Sequence, residues 1–306
     1  MRRSLIAAVL LLVLLLSRPV GAAPGSARFV APDRVVQGEP FLVELLLPFE
    51  PDRAELRWLG RSQPLRAEPL ADGLWRLRAL AGTTASHPAG KEIVAFRVEA
   101  DGRTWSFPWQ IEIGAKAFPE SRLTVPEKMV VPPDEVRSRI EAEGRRVAQA
   151  LARSQEEILW ALPLHRPVKG IVTCPYGWRR VYNGKPRSPH SGVDLRAAVG
   201  TPVGAVAAGV VVLAEEHYFA GNVVYVDHGG GVLSAYGHLS RIDVGPGQPV
   251  KAGQTVGLAG ATGRVTGPHL HLGLFLQGRH ADAVPLFEAD EKALLEGREG
   301  LEVSLR

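Results

Sequence analysis

Residues 269–276 form an alternating run, which reads His269-Leu270-His271-Leu272-Gly273-Leu274-Phe275-Leu276. On a β-strand, successive side chains point to opposite faces. The leucines therefore form one wholly apolar face, which must be buried against a core. His269, His271 and Gly273 fall on the other face, where the glycine leaves open space beside the two imidazoles. This pattern predicts a half-buried strand that carries a metal or proton-transfer site.

Two further segments place chemically active side chains on one face of an extended chain. Their members are His190, Gly192 and Asp194 in the first segment, and Ser234, Tyr236 and His238 in the second. If these strands converge with the alternating run, imidazoles and a carboxylate meet in one cleft. Two imidazoles and one carboxylate leave the fourth tetrahedral position of a zinc ion free, which is typical of catalytic rather than structural zinc sites.

The rest of the sequence predicts a mostly β protein. Over residues 28–115, short alternating runs separated by turn signals such as Asp101-Gly102 predict an immunoglobulin-like antiparallel β-sandwich. Residues 163–288 are rich in Gly and Val and are again strand-like, and they contain the site segments. Residues 289–306 are predicted to be a short helix or a frayed tail.

Residues 133–162 predict a connecting α-helix, because apolar side chains recur there on one helical face. Pro133 suits the start of this helix and Pro163 suits its end, since proline lacks the backbone donor needed in a helix interior. The helix could act as a spacer or pack across the sandwich.

The first residues predict an exported protein. Arg2 and Arg3 precede a short apolar run at residues 5–16 and small residues at 21–23, which together indicate a signal peptide over residues 1–23. The apolar run is too short to span a bilayer, so the mature chain is predicted to have no transmembrane span. The expected location is the periplasm or cell envelope.

Charge and cysteine content exclude one class of partner and an internal disulfide. The 36 Lys and Arg residues outnumber 32 Asp and Glu, but three of the arginines lie in the predicted leader, which leaves 33 against 32. Such a balance argues against a nucleic-acid partner. Cys174 is the only cysteine, so no internal disulfide forms, and we expect a buried thiol beside a strand.

The site segments resemble a known family. The motifs that carry the resemblance are, in chain order, His190-Ser191-Gly192-Val193-Asp194-Leu195, Gly200-Thr201-Pro202-Val203, Tyr236-Gly237-His238-Leu239-Ser240 and Thr266-Gly267-Pro268-His269-Leu270-His271. As an ordered set over residues 168–287, they resemble the lysostaphin/LytM-type zinc endopeptidases of bacterial cell walls, which have the duplicated hybrid motif fold. The resemblance implies a compact, mostly antiparallel β-domain with its site in a groove between loops.

The resemblance also implies roles for individual residues. One Zn²⁺ ion would be held by His190, Asp194 and His271. His238 and His269 would be the uncoordinated catalytic pair near the bound water, and the sequence does not decide which of them acts as the base.

The implied activity is hydrolysis of peptide cross-links in peptidoglycan, whose stem peptides would be the partners. Arg187, Tyr236 and Thr266 are expected to contact substrate; for Arg187 the reason is that arginine binds the free carboxylates of stem peptides, although a solvated loop would account for it equally well. The alternative function is a catalytically silent LytM-type regulator of cell-wall amidases. The sandwich could either target or inhibit the peptidase, and the oligomeric state is left open.

Overall fold

The computed structural model describes residues 25–295 and 301–305, so the signal peptide predicted at residues 1–23 lies outside the described residues. The described chain is mostly β, as predicted. Its N-terminal strands are β1 (Ser26–Val30), β2 (Arg34–Val36), β3 (Pro40–Leu47), β4 (Arg53–Trp58), β5 (Arg61–Leu65), β6 (Glu68–Pro69), β7 (Trp75–Gly82), β8 (Gly90–Ala100) and β9 (Arg103–Gly114).

These strands form two sheets that pack face to face. One sheet contains β1-β3-β7-β6 in that order, and the other contains β2-β9-β8-β4-β5. Phe29 and Leu45 of the first sheet and Leu56 and Phe96 of the second share a fully buried core. The pairing is antiparallel except between β2 and β9, which run parallel. The strand orders resemble those of immunoglobulin-type sandwiches, and the immunoglobulin-like interpretation stays a prediction.

Three elements connect the sandwich to the C-terminal region: β10 (Glu120–Leu123), α1 (Glu127–Val130) and α2 (Asp134–Leu151). Helix α2 starts directly after Pro133, as predicted, but it ends at Leu151 rather than near residue 162. The helix ends early because the residues that follow it form hydrogen bonds with the neighbouring sheet. Ser154 Oγ and the Gln155 N–H both donate to the carboxylate of Asp227, at 2.6 and 2.9 Å. These bonds tie the chain to the neighbouring sheet instead of to another helical turn.

Helix α2 lies on this neighbouring sheet, so it is neither a spacer nor a cover for the sandwich. Val147 and Leu151 pack against Tyr225 and Phe275 of the sheet. The buried carboxylate of Glu143 accepts the backbone N–H of Tyr218. An apolar stripe and one buried acid thus fix the helix in place.

The C-terminal region contains a large sheet with short flanking elements. Its elements are β11 (Val172–Cys174), β12 (Arg179–Tyr182), β13 (Lys185–Pro186), β14 (Val193–Arg196), β15 (Pro202–Gly204), β16 (Gly209–His217), β17 (Gly221–Asp227), β18 (Val232–Ile242), β19 (Pro249–Val250), β20 (Thr255–Ala259), β21 (His269–Leu276), β22 (Arg279–Ala281), a 3-10 helix (Val284–Phe287), α3 (Glu291–Leu295) and β23 (Leu301–Ser304). The main strand order is β11-β14-β21-β18-β17-β16-β19, with antiparallel pairing.

Strand β21 has the two faces predicted from its sequence. Its leucines lie in the main core of the C-terminal region, together with Leu195 of β14. Phe275 points to the opposite side and packs in the smaller cluster beneath α2. Leu42 and Leu80 of the sandwich also enter the main core, so the two regions are joined by continuous packing.

Within the described part of residues 289–306, the structure contains a short helix, α3, which was one of the two expected forms. After α3, strand β23 pairs antiparallel with β1, which extends the first sandwich sheet. The unpaired backbone groups of an edge strand offer a ready partner for a further strand, which accounts for the pairing. Among the described residues, no helix has both the length and the apolar character that a membrane crossing requires.

Candidate metal centre

Asp194 and His271 face each other directly across the antiparallel pair β14 and β21. Oδ1 of Asp194 lies 2.8 Å from Nδ1 of His271 and 3.0 Å from Nε2 of His190. The two imidazole nitrogens are 3.1 Å apart. His190 and Asp194, which are four residues apart, and the distant His271 therefore bring one oxygen and two nitrogens to a single point.

His190 lies in the loop before β14 and is almost fully buried. Its Nδ1 is 2.9 Å from the carbonyl oxygen of Pro175, so a proton on Nδ1 is donated to that carbonyl. This contact fixes the ring orientation and leaves the Nε2 lone pair facing Asp194 and His271. A second hydrogen bond of this kind is the usual way in which a metal-binding histidine is oriented.

The Asp194 carboxylate is held in its charged form. Burial acts to raise the pKa of Asp194, but its close contacts with the rings of His190 and His271 hold it well below its usual value. Arg180 also donates from Nη2 to Oδ2 at 2.9 Å. The site thus contains one carboxylate whose Oδ1 is directed at the two imidazoles.

Gly192 leaves the space that this arrangement needs. A Cβ at this position would lie 2.3 Å from the carbonyl oxygen of Leu272 and 2.8 Å from the ring of His271. Neither neighbour can move easily, because Leu272 belongs to the β21 backbone and His271 faces Asp194. The close approach of the loop to β21 therefore requires glycine.

His238 reaches the same site by a different route from the one predicted. Ser234, Tyr236 and His238 were expected to share one face of β18. However, His238 has a φ of +62°, and the pairing between β17 and β18 shifts register at this point. This irregularity turns the imidazole to the site face, where its ring lies 4.9 Å from that of His269 and 5.8 Å from that of His271.

The expectation that Tyr236 contacts substrate is wrong. Its side chain is fully buried in the main core, on the other side of the sheet. Its hydroxyl accepts hydrogen bonds from the Val206 N–H at 2.7 Å and from Ser234 Oγ at 2.8 Å. Ser234 in turn contacts His228 Nε2 at 2.8 Å, so this polar network stabilises the core.

His238 and His269 have the same hydrogen-bonding pattern. Nδ1 of His238 is 2.8 Å from the carbonyl oxygen of Thr262, and Nδ1 of His269 is 2.8 Å from that of Gly267. Each ring therefore donates through Nδ1 and keeps Nε2 as an acceptor. Burial, followed by the nearby His271 and His269 rings, lowers the pKa of His238 to about 3, so this imidazole is neutral.

Two other expected substrate contacts remain predictions. Arg187 is exposed and donates from Nη2 to the carbonyl oxygen of Val130 at 2.8 Å. Thr266 is exposed in the loop that leads into β21. Both lie at the surface near elements of the site.

Cys174 lies closer to the site than its sequence suggested. Its sulfur and the donor atoms of His190 and Asp194 all lie within 4.8 Å of one another. Burial, and then the charge of Asp194, raise the pKa of this thiol. Since the thiolate is the form that binds metals, His271 completes the donor set better than Cys174 does.

A cavity of about 530 Å³ opens beside the metal centre. His238, His271 and Arg180 contribute to its lining, and helix α2 forms an apolar wall. Arg264 and His280 also line it, although the sequence patterns did not single out either residue. His280 is placed there by the pairing of β22 with β21, in which it lies opposite Phe275.

Comparisons with known proteins agree with this geometry. Residues 188–283 match Peptidase family M23. A crystal structure described as a putative peptidase M23 from Pseudomonas aeruginosa shares 30% sequence identity with the chain at a TM-score of 0.63, covering 82% of this chain and 94% of that one. The chain belongs to peptidase family M23. The predicted family resemblance is confirmed, and the residues of the candidate metal centre lie within the matched M23 segment.

Relatives whose names state an enzymatic activity match this chain over shorter segments. Peptidoglycan DD-endopeptidase ShyA of Vibrio cholerae is 45% identical over 116 residues, which are 35% of this chain and 27% of that protein. Peptidoglycan DD-endopeptidase ShyB of the same organism is 43% identical over 96 residues, which are 31% of this chain and 22% of that protein. The chain thus spans about a quarter of the length of these curated relatives.

Proposed function

We propose that this M23 protein is a zinc-dependent metalloendopeptidase, a hydrolase that cleaves peptide cross-links of bacterial peptidoglycan. The observation that carries the proposal is the meeting of Asp194 Oδ1, His190 Nε2 and His271 Nδ1 within 3.1 Å of one another. Membership of the M23 family and similarity to proteins named peptidoglycan DD-endopeptidases support it.

The donor set fits zinc. Two neutral imidazoles and one carboxylate are ligands that Zn²⁺ prefers, and Zn–N and Zn–O bonds of about 2.0–2.1 Å place tetrahedral donors roughly 3.3 Å apart. The observed separations of 2.8–3.1 Å are close to that value. A set of three protein donors leaves one position for water or substrate, and we propose His190, Asp194 and His271 as the ligands of one ion.

When bound, zinc supplies Lewis acidity, which polarises a peptide carbonyl and activates water near neutral pH. The residues around it supply proton transfer and orientation. Nε2 of His238 and Nε2 of His269 are free to accept a proton, because the Nδ1 atom of each ring faces a backbone carbonyl. We propose that Nε2 of one ring takes a proton from the attacking water and that Nε2 of the other ring orients this water by accepting its second hydrogen bond.

The proposed substrate also implies where the protein is located. An enzyme that acts on stem peptides must leave the cytoplasm, so we propose that residues 1–23 direct export to the periplasm or cell envelope.

The alternative of a silent amidase regulator gains no support from the site, because His190, Asp194, His238, His269 and His271 are all present and lie together.

Two measurements test the proposed function. Metal analysis of the purified chain should find about one zinc per chain, bound through three protein ligands. Mass spectrometry of purified sacculi treated with the chain should show cross-linked muropeptides converted to monomers, with new termini that identify the cleaved bond. A chelator should abolish this conversion. Bound zinc with intact cross-links would contradict the proposal, and stimulation of an amidase in the same assay would favour the regulator.

A further inference from the structure

The cavity beside the metal centre has an uneven charge. Its lining includes three guanidinium groups, those of Arg61, Arg180 and Arg264, together with imidazoles. No Asp or Glu side chain of the described residues lines it. A half-enclosed space with positive charge and no acid on its wall favours an anionic ligand.

The three arginines differ in how they are held. Arg180 already forms an ion pair with Asp194. Arg61 is exposed and donates to the carbonyl oxygen of Gln277 at 3.2 Å. Arg264 is partly buried, and within the described part of the chain it has no acidic partner; its side chain donates from Nη1 to the carbonyl oxygen of Met129 at 3.3 Å. Arg264 is therefore the cation that is both partly desolvated and free to pair.

Aromatic rings hold the Arg264 guanidinium in place. Its centre lies 4.4 Å from the ring of Phe219 and 4.9 Å from the ring of Tyr182. The backbone N–H of Arg264 also donates to the carbonyl oxygen of Phe219 at 2.8 Å. Stacking fixes the plane of the guanidinium, so less conformational entropy is lost when the group binds a ligand.

The pKa of the Arg264 guanidinium is lowered, which agrees with a partly buried cation that lacks an acidic partner among the described residues. Burial lowers the pKa of its guanidinium, and the positive charges of Arg180 and Arg187 act in the same direction. A carboxylate beside Arg264 would offset both effects. A planar guanidinium with free N–H groups matches a carboxylate through two parallel hydrogen bonds.

We propose that Arg264 binds a free carboxylate of the peptide substrate and thereby positions the scissile bond at the metal centre. This inference rests on the proposed function, because a peptidoglycan stem peptide is the source of the carboxylate. Arg264 would act as a specificity residue, since a peptide without the charged group would lose this contact.

Binding measurements test the inference without requiring turnover. The zinc-loaded chain is titrated by calorimetry with a synthetic stem tetrapeptide that has free carboxylates, and with the same peptide after conversion of its carboxylates to carboxamides. The wild-type protein should bind the free acid about tenfold to a hundredfold more tightly than the amide, as expected for hydrogen bonds to a charged group. Arg264→Gln should remove most of this preference while leaving zinc content unchanged.

Arg241→Gln is the charge-matched control, because Arg241 is exposed and pairs with Asp243 at the surface. It should keep the wild-type preference. If Arg264→Gln fails to fold, Arg264→Lys decides the question, since lysine keeps the charge but lacks the stacked fork; it should lower the preference at least severalfold.

The outcomes separate the inference from the proposed function. A wild-type protein with no preference for the acid, or an Arg264 variant that keeps the preference, would overturn the inference even if cross-links are cleaved. A clear preference that depends on Arg264 would support it even if the muropeptide assay showed no cleavage.

Discussion

Arg180 and Asp194 form an ion pair in which Nη2 donates to Oδ2 at 2.9 Å, while Oδ1 of the same carboxylate faces His190 and His271. The two oxygens of Asp194 thus have separate tasks. One is fixed by a guanidinium that is itself mostly buried, with a side-chain exposure of 17%. The other is left for the proposed metal.

Arg180→Gln should therefore weaken zinc binding without removing a ligand. Loss of a group that orients a metal ligand typically costs about tenfold to a hundredfold in metal affinity. Competition with a chelator of known zinc affinity measures the change. Arg179→Gln is the matched control, because Arg179 is its exposed neighbour on β12; equal zinc affinity in both variants would contradict the positioning role of Arg180.

The proposed ligands and the proposed catalytic pair should respond differently to mutation. Asp194→Ala and His271→Ala should lose zinc and cross-link cleavage together, because each removes one of three donors. His238→Ala should keep its zinc and lose about a hundredfold or more in turnover, since it removes only a proton-transfer group. Zinc content and cleavage rate are measured on the same preparations.

His165→Ala serves as the control for these histidine variants, because His165 is exposed and does not line the cavity of the metal centre. It should match the wild-type protein in both measurements. Loss of zinc from His238→Ala would show that the roles of the histidines are assigned incorrectly.

Stability should fall in mild acid, in part because of His228. This fully buried imidazole contacts the carbonyl oxygen of Ala208 and Ser234 Oγ, and burial lowers its pKa from 6.5 to about 4. Between those pH values His228 binds a proton in the unfolded chain but not in the folded chain. The contribution of His228 to the free energy of unfolding is therefore complete above pH 6.5 and is lost as the pH falls toward 4, by up to about 1.4 kcal/mol per pH unit.

Urea unfolding of chelator-treated protein at a series of pH values tests this effect without a contribution from zinc release. His228→Gln should be less stable than the wild-type protein near neutral pH, because it disrupts a buried network. Its stability should also decline less steeply with acid. Parallel curves for the two proteins would exclude His228 as a source of the pH dependence.

Glu143 should anchor helix α2 to the sheet. Its carboxylate, 7% exposed, accepts the Tyr218 N–H through both oxygens and the Arg139 Nε–H at 2.7 Å. Glu143→Ala leaves the Tyr218 N–H without its partner, which should cost about 1–3 kcal/mol of unfolding free energy. Amide exchange in α2 should increase as well.

Glu141→Ala provides the comparison on the same helix. Glu141 is 70% exposed and lies 3.9 Å from Arg145, and an exposed pair of this kind contributes little. If both variants lowered stability equally, the buried contact of Glu143 would not be what holds the helix.

The local sequence pattern was sufficient to predict the two faces of strand β21. Alternation with a period of two depends only on backbone geometry, so the faces of β21 followed directly from residues 269–276. The same alternation placed the side chain of Asp194 on the face opposite to those of Val193 and Leu195, and the ordered motifs indicated the lysostaphin/LytM-type family. These features are properties of neighbouring residues, which is why they are visible without coordinates.

Other features arose from contacts between distant segments. The register shift that turns His238 away from Tyr236 depends on pairing with β17, and the early end of α2 depends on Asp227. Arg264 meets the rings of Tyr182 and Phe219 only in the folded chain. The sequence alone thus determined the strand faces and the chemistry of the donors. Tertiary packing decided which side chains share the cavity, because burial and pairing are set by partners far away along the chain.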